Sequence, residues 1–423
     1  MKRIFNLVLV SILTLSISSI YAQSLELDAL NMGKNYKNDI YYSLEKGFVK
    51  EIPRDNWDIA FKTSRMDATI ITNGGSGVKL YAYPKGDITS WPTVDTNGLY
   101  KWKVLQNSTE FWETGGAFNQ NATGATFDYG WGVYQQNNNH KVVGDSLFII
   151  QLADGKWKKI RIDEKDSMPN IYRFTFANLD GTDEESVDIS LNEFKDRQFI
   201  YYSVSDKEIK DREPKQDWDL WFTKFIVNIT TESGETQQYP VVGVLQKMGV
   251  EANRFNDVDQ ETYVEWAKKP FEKNISTIGY DWKKFDMKEM KYTIDDKRVY
   301  FAKSMAGDVY KLFFVSFEGG ETGIIRLKRG KVSAASVTSI DKTDFIQLSP
   351  NPVKDIMNLR IDGNQDAETS LKVVSVSGKV IMKRTIAAGN VNESISIKHL
   401  PKGLYMVILE NGKDVFSAKL IKE

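Results

Sequence analysis

The sequence predicts an all-β protein, β-rich with minor helix, built as two tandem antiparallel β domains followed by a small C-terminal β-sandwich. Three observations predict it. First, Trp57-Asp58-Ile59-Ala60-Phe61 returns as Trp218-Asp219-Leu220-Trp221-Phe222, and each copy follows a tyrosine pair, Tyr41-Tyr42-Ser43-Leu44 or Tyr201-Tyr202-Ser203-Val204. The pitch of about 160 residues is a domain length, too long for a solenoid repeat. Second, apolar runs of period two alternate with Asp-Gly, Ser-Gly and Asn-Gly turns, the pattern of hairpins. Third, the chain changes character after a small, polar stretch at residues 330–343 that reads as a linker.

A length of 423 residues supports two or three domains, each able to bury its own core. Aromatic residues at 12% and only 10 prolines argue against disorder and for aromatic-rich sheet. The 56 basic and 57 acidic residues nearly cancel, so no long-range field gathers nucleic acid or a charged membrane. Cysteine is absent, which excludes disulfides, thiolate metal sites and cysteine nucleophiles. The two histidines, His140 and His399, are too few for a His-rich zinc site.

Lys2 and Arg3, the apolar run at residues 4–20 and Tyr21-Ala22 form a cleavable secretory signal over residues 1–22. No later run reaches membrane-spanning length, so no transmembrane segment is expected in the mature chain. The expected layout is a first β domain at 23–195, a second at 196–331, a linker at 332–345 and the terminal sandwich at 346–423.

In the first domain the strands are residues 40–42, 48–49, 57–61 and 68–71, with Trp57, Ile59 and Phe61 expected on one core-facing side. The cluster Thr72-Asn73-Gly74-Gly75-Ser76-Gly77 permits a tight turn or a close backbone approach. Lacking a P-loop lysine and a following helix, it reads as a sheet connection rather than a phosphate cradle. Residues 91–134 bring ten aromatic side chains spaced by Gly and Asn. They suit a stacking platform for a sugar or porphyrin, or equally the plug at the end of a sandwich. The polar turn Asn137-Asn138-Asn139-His140 follows, then a hairpin around Ala153-Asp154-Gly155 and a strand at 172–177. The second domain repeats the plan and ends in a hairpin at 299–315, with weak helical periodicity at 259–271. After the linker, Pro350 and Pro352 suit a sheet edge, Ser377-Gly378 and Asn411-Gly412 close hairpins, and the strands alternate.

Catalytic patterns are weak. One histidine before the linker does not make a Ser-His-Asp set, and no Gly-x-Ser-x-Gly elbow occurs. Asp55 with Asp58 and Glu184 with Glu185 are pairs that common acidic residues form by chance. The acidic turn at 180–185 reads as a solvated hairpin end rather than a calcium loop.

Leu348-Ser349-Pro350-Asn351-Pro352, Val376-Ser377-Gly378-Lys379, Leu400-Pro401-Lys402-Gly403-Leu404-Tyr405 and Lys419-Leu420-Ile421-Lys422 resemble the type A sorting domain of type IX secretion cargo. The resemblance implies a Gram-negative cell, export across both membranes, and removal of the domain by a sortase-like peptidase. The cargo is then released outside the cell or joined to surface lipopolysaccharide.

The two tyrosine and tryptophan motifs, the Gly cluster at 72–77 and Phe148-Ile149-Ile150-Gln151-Leu152-Ala153-Asp154-Gly155 resemble the HmuY family, secreted β-rich haem carriers, in two tandem copies. The second copy lacks the Gly cluster. The family's best-known carrier holds haem between two histidines, whereas His140 stands alone here; some relatives use methionine, and Met168, Met248, Met287 and Met305 are present. His140 therefore has two readings, an axial haem ligand or a solvated loop residue, and fold analogy alone does not decide for the ligand.

The expectation is a non-enzymatic binding protein, secreted or held at the outer surface, with haem or another porphyrin as the most concrete ligand. The alternative is a structural or adhesive surface protein that contacts glycans or partner proteins. Specificity is expected where the copies differ, in the aromatic insert and at His140.

Overall fold

The computed structural model describes residues 25–423 except 136, 138–139, 216, 232, 334–345, 362–367, 376–379, 389–391 and 412–413. The signal segment, the linker beyond Ser333 and the Ser377-Gly378 turn lie outside the described residues. The protein is all-β, and the helical elements among the described residues are short 3-10 turns. The periodicity at 259–271 gives only the 3-10 turn Trp266–Lys268, because Lys269 is extended ahead of Pro270. The chain divides into two compact units, one running to Ser304 and over Tyr310–Val332, the other comprising Met305–Val309 and Ser333–Glu423.

The first unit contains two lobes, each with two facing sheets. In the first lobe a large sheet carries Glu185–Ser190, Ile171–Asn178, Trp157–Asp166, Leu147–Gln151, Lys79–Ala82 and Val104–Leu105 in that order. Opposite it lies a four-stranded sheet ordered Glu208–Lys210, Phe199–Ser203, Ile59–Lys62, Ile70–Thr72. The second lobe pairs a five-stranded sheet, from Glu26–Asn31 to Glu251–Phe255, with a four-stranded sheet ordered Gly47–Pro53, Asn38–Ser43, Leu220–Thr230, Thr236–Gln246.

The two four-stranded sheets are equivalent, and each is made from both sequence copies. The first copy's tyrosine strand pairs with the second copy's tryptophan strand, Tyr42 opposite Leu220 and Tyr41 opposite Trp221. Reciprocally, Tyr202 lies opposite Ile59 and Tyr201 opposite Ala60. The predicted boundary at 195/196 therefore does not separate two bodies: residues on both sides of it share sheets within one compact unit.

Both faces of these strands are covered, which is why their residues read as continuous apolar runs rather than strict alternations. Ile59, Phe61, Ile200 and Tyr202 face the first lobe's core, and Ile40, Tyr42, Leu220 and Phe222 face the second's. The opposite faces meet in a junction core that holds Tyr41, Trp57, Ala60, Tyr201, Trp218 and Trp221. Trp57 thus departs from the expected common face with Ile59 and Phe61. The strand begins only at Ile59, and the preceding Asp58 turns the chain so that Trp57 points to the junction.

The aspartate of each motif explains its place between apolar neighbours. Asp58 Oδ2 accepts the Val204 N–H at 2.7 Å, and Asp219 Oδ2 accepts the Leu44 N–H at 2.8 Å. Their own N–H groups donate to Tyr202 O and Tyr42 O. Each carboxylate thus ends the tyrosine strand of the other copy. Burial pushes the Asp58 carboxyl up to about 6 and raises that of Asp219 as well. Tyr41 and Tyr201 meet at 3.4 Å between hydroxyls, and their rings pack edge-on against Trp218 and Trp57.

The second unit is a sandwich of a three-stranded sheet, Ile346–Ser349, Ile356–Ile361 and Asn392–Ser396, and a four-stranded sheet from Val380–Ile386 to Asp414–Lys422. Met357, Leu359 and Ile361 alternate into its core with Leu371, Val373, Val407 and Leu409. Asn411 pairs with Asp414 as the Asn-Gly hairpin requires, although Gly412 itself is not among the described residues. Between its two prolines Asn351 donates to Lys419 O and accepts from Ile421 N, tying the start of the sandwich to its last strand.

Truncating Asp58 or Asp219 to Ala strands one buried backbone N–H, so each change should cost about 1–3 kcal/mol. Because both carboxylates cap strands of one unit, urea unfolding followed by tryptophan emission should shift as a single transition in both variants. Two separable transitions for residues before and after 195 would contradict the shared sheets.

Candidate functional site

A cleft opens within the first unit where the Gly-rich loop of the first half lies against a sheet of the second. The strand Ile70–Thr72 runs into the 3-10 turn Gly74–Ser76. Asn73 fixes this loop by donating through Nδ2 to Arg54 O and Trp57 O. Gly75 approaches the Leu220–Thr230 strand so closely that a Cβ would stand 1.7 Å from Lys224 O. The close backbone approach permitted by the sequence is therefore made to protein. The loop's N–H groups at Ser76, Gly77 and Val78 are spent on Asn73 O and Gly74 O, not offered to a phosphate.

The second wall is the segment at residues 104–109. Asn107 acts as a substitute strand partner, accepting from Thr72 N and Ala117 N and donating to Thr72 O. Gln106 reaches across the cleft mouth and donates to Asn228 Oδ1 at 3.0 Å. The inner cavity holds about 430 Å³ and is lined by Trp57, Ile71, Trp112, Trp221, Phe225 and Leu245. An outer, more polar cavity of about 790 Å³ shares residues 104–109 and Gln238 with it. The inner volume is that of an ordinary small-molecule site, apolar with a few convergent polar groups.

Those polar groups are incompletely used. Trp112 Nε1 donates to Gln246 O, but the buried Nε1 atoms of Trp57 and Trp221 and the Oε1 of Gln106 have no partner. Arg54, Lys79 and Lys224 line the inner cavity, and no described Asp or Glu does. Arg54 is occupied in part, donating to Tyr36 O, Gly75 O and Ser76 Oγ. Burial lowers the Lys224 ammonium, and the neighbouring Arg54 charge lowers it further; burial likewise lowers Arg54.

His140 is not in this cleft. It ends an exposed turn between Gly132–Gln135 and Lys141–Gly144, and its Nδ1 meets Tyr134 Oη at 2.6 Å. Met168, Met287 and Met305 are exposed, and Met248 packs half-buried with its sulfur 3.5 Å from Lys62 Nζ. The aromatic insert is neither one platform nor one plug. Phe118 and Trp131 fill the first lobe, Trp91 packs in a side cluster under Lys159, and Trp112 alone lines the inner cavity. Tyr100, Phe111 and Phe127 are exposed.

The acidic candidates have structural partners. Glu184 accepts from Trp91 Nε1, and Lys207 bridges Asp183 and Glu185. Ion pairs with Lys158 and Lys207 hold Asp183 down at about 2. Among the described residues no group of three or more His or acidic side chains is placed to hold a metal ion.

A model of the secretion system C-terminal sorting domain matches residues 347–423, and a model of the HmuY protein family matches residues 35–168. The chain carries an HmuY domain and a type IX sorting domain. The HmuY match stops short of the second tyrosine motif at Tyr201, so it covers one copy of the duplication. It also does not coincide with a lobe, since it includes Asn38–Ser43 from the second lobe's sheet. No curated protein matches the chain. Among solved structures a chain titled "Biofilm associated protein - BSP domain" aligns over 98% of this chain and 84% of its own at 9% identity, with a TM-score of 0.15, a likeness too slight to carry argument. The sorting domain directs the protein to the extracellular space or the outer cell surface. Among the described residues no helix is long and apolar enough to cross a membrane.

The sequence cue to the cleft was the Gly cluster; the cues missed were Arg54, Gln106, Trp221 and Lys224, which converge only through the exchanged strands. Gly75→Ala should force the loop off Lys224, open the cleft and cost about 1–3 kcal/mol, as overpacking does. Thermal unfolding of the variant measures the cost. An unchanged midpoint would mean that the loop does not rest on that strand.

Proposed function

We propose that the protein is a non-enzymatic binding protein, exported by the type IX system, that carries a small organic ligand in the cleft between its lobes. The inner cavity supports this reading: three tryptophans line it, and two of them bury indole N–H groups without a partner. An unmatched buried donor costs about 1–3 kcal/mol, which a ligand acceptor would recover on binding. The second copy, equivalent in its strand pairing but not in its loops, is read as a diverged HmuY-like half. The partners on this reading are the secretion machinery and its sortase-like peptidase.

The neutral dye N-phenyl-1-naphthylamine should brighten on mixing with the mature protein. Thr109→Trp, which fills the wall shared by both cavities, should abolish the increase. Unaltered dye emission in that variant would move the site elsewhere.

A porphyrin on the hairpin is a second reading, favoured by the HmuY match and by His140 itself. With Nδ1 engaged by Tyr134, the imidazole would have Nε2 to offer a metal, and the rings of Phe127 and Tyr134 pack beside it. The residues fit one axial nitrogen and supply no second histidine. A haem held there would bring its own iron chemistry; this chain would contribute the ligand and the ring contacts. Adding haemin should shift the Soret band of the mature protein, and His140→Ala should remove the shift. No shift at micromolar protein ends the porphyrin reading and leaves the cleft untouched.

Ending the chain at Ser349 removes all but the first strand of the terminal sandwich. The shortened protein should accumulate in the periplasm by immunoblot of cell fractions, and its appearance outside the cell would refute export through this domain.

A further inference from the structure

The inner cavity's charge distribution narrows the ligand's chemistry, given the cleft reading above on which this step rests. Arg54 and Lys224 are both partly buried; Asp39 and Asp55 act on Arg54 from outside the cavity lining, whereas Lys224 feels burial and the Arg54 charge, and no described carboxylate lines the cavity. Buried cations elsewhere in the chain are met by backbone carbonyls, as at Lys159 and Lys165, or by carboxylates. Arg212 pairs with Asp39, Arg329 with Asp28 and Glu26, and Lys158 with Asp183. A cation withdrawn from water gains most from an anion brought into the same low-dielectric space.

One side of the lining is aromatic and apolar, while Lys79, Asn107 and Thr223 are among the polar residues of the remainder. Trp112 and Trp221 stack with ring centroids 6.3 Å apart and planes 20° from parallel, and Ile71, Phe225 and Leu245 add aliphatic and aromatic surface. The unpaired indole N–H groups of Trp57 and Trp221 are donors, which also select acceptor oxygens. Gln106 Oε1 is a buried acceptor without a partner among the described side chains that line the cavity.

We propose that the cleft binds an amphipathic carboxylate: a compact apolar ring body among Trp57, Trp112, Trp221 and Phe225, with its carboxylate held by Lys224 and Arg54. The ring body explains the tryptophan lining, and the carboxylate explains the paired cations. The outer cavity lets a polar substituent extend towards Asn228 and Gln238.

Displacement of N-phenyl-1-naphthylamine from the mature protein tests this with two isosteres, 1-naphthylacetate and the uncharged 1-naphthylacetamide. The acid should displace the dye at a concentration at least tenfold lower than the amide, and added salt should erode only the acid's advantage. Lys224→Met should abolish the preference, each compound's potency being referred to the variant's own dye affinity, and an unchanged urea unfolding midpoint certifies that the variant is folded. Equal potency of acid and amide, or a preference that survives Lys224→Met, overturns the carboxylate assignment while the cleft remains a binding site. Dye bound in the cleft that neither compound displaces overturns it too. Dye emission insensitive to Thr109→Trp overturns the cleft itself, and with it this assignment.

Discussion

Reciprocal strand exchange is the constraint on which the first unit depends. A tyrosine strand in either copy pairs on one edge with a hairpin neighbour of its own copy and on the other with the other copy's tryptophan strand. Its N–H at the far end finds an acceptor only in the other copy's aspartate. The arrangement buries a sheet on both faces, so the tyrosines and tryptophans that leave the lobe cores make a third core between them. Arg212 deepens the interdependence. Wholly buried, it donates to Asp39 at 2.8 Å and to Pro53 O at 3.0 Å while lying over the rings of Tyr201 and Trp57. Removing either partner of such a pair would leave a bare charge in the interior, a change that typically costs several kcal/mol.

The cleft is a consequence of that exchange. Two equivalent sheets brought back to back would bury the junction completely if the copies were identical. They are not, because only the first copy has the Gly-rich loop, and only the first has the insert that supplies Trp112 and Gln106. The loop rests on the second copy's strand at Gly75, and the insert closes the other side through Gln106 and Asn228. The cleft thus lies where sequence divergence falls on a symmetric frame, and Trp112 of the insert lines it while His140 lies on a separate hairpin.

The duplication, the strand runs and the terminal sandwich were legible because each is a local pattern: a repeated motif, a period of two, an Asn-Gly turn. Partner choice was not. A strand buried on both faces carries no alternation to say which side meets which core, so Trp57 could be assigned to a core but not to the junction. The aspartate of the motif was equally opaque, since its acceptor role depends on Val204 or Leu44, residues of the other copy. The cleft's cations lie far apart in sequence, Arg54 in one copy and Lys224 in the other, and no spacing rule joins them.

The absence of cysteine poses a last question of how an exported chain of this size ties loops to sheets. The structure answers with lysines whose stems run through the interior and whose ammonium groups end on backbone carbonyls. Lys159 reaches Trp91 O at 2.7 Å, Lys165 reaches Ser64 O at 2.6 Å, Lys311 reaches Glu261 O at 3.0 Å, and Lys50 reaches Arg212 O at 2.8 Å. Each joins a strand to a segment distant in sequence, as a disulfide would, and each packs its methylenes against core surface. Burial lowers all four ammonium groups, that of Lys165 to about 7, so these ties carry a desolvation cost that a covalent link avoids. Lys224 differs from them in lining a cavity, where burial and the Arg54 charge both lower its ammonium. Not every such lysine ends on an oxygen, since Lys62 meets the Met248 sulfur and Lys247 lies over the Trp218 ring; at Lys224 the proposed ligand places its oxygen in the cleft.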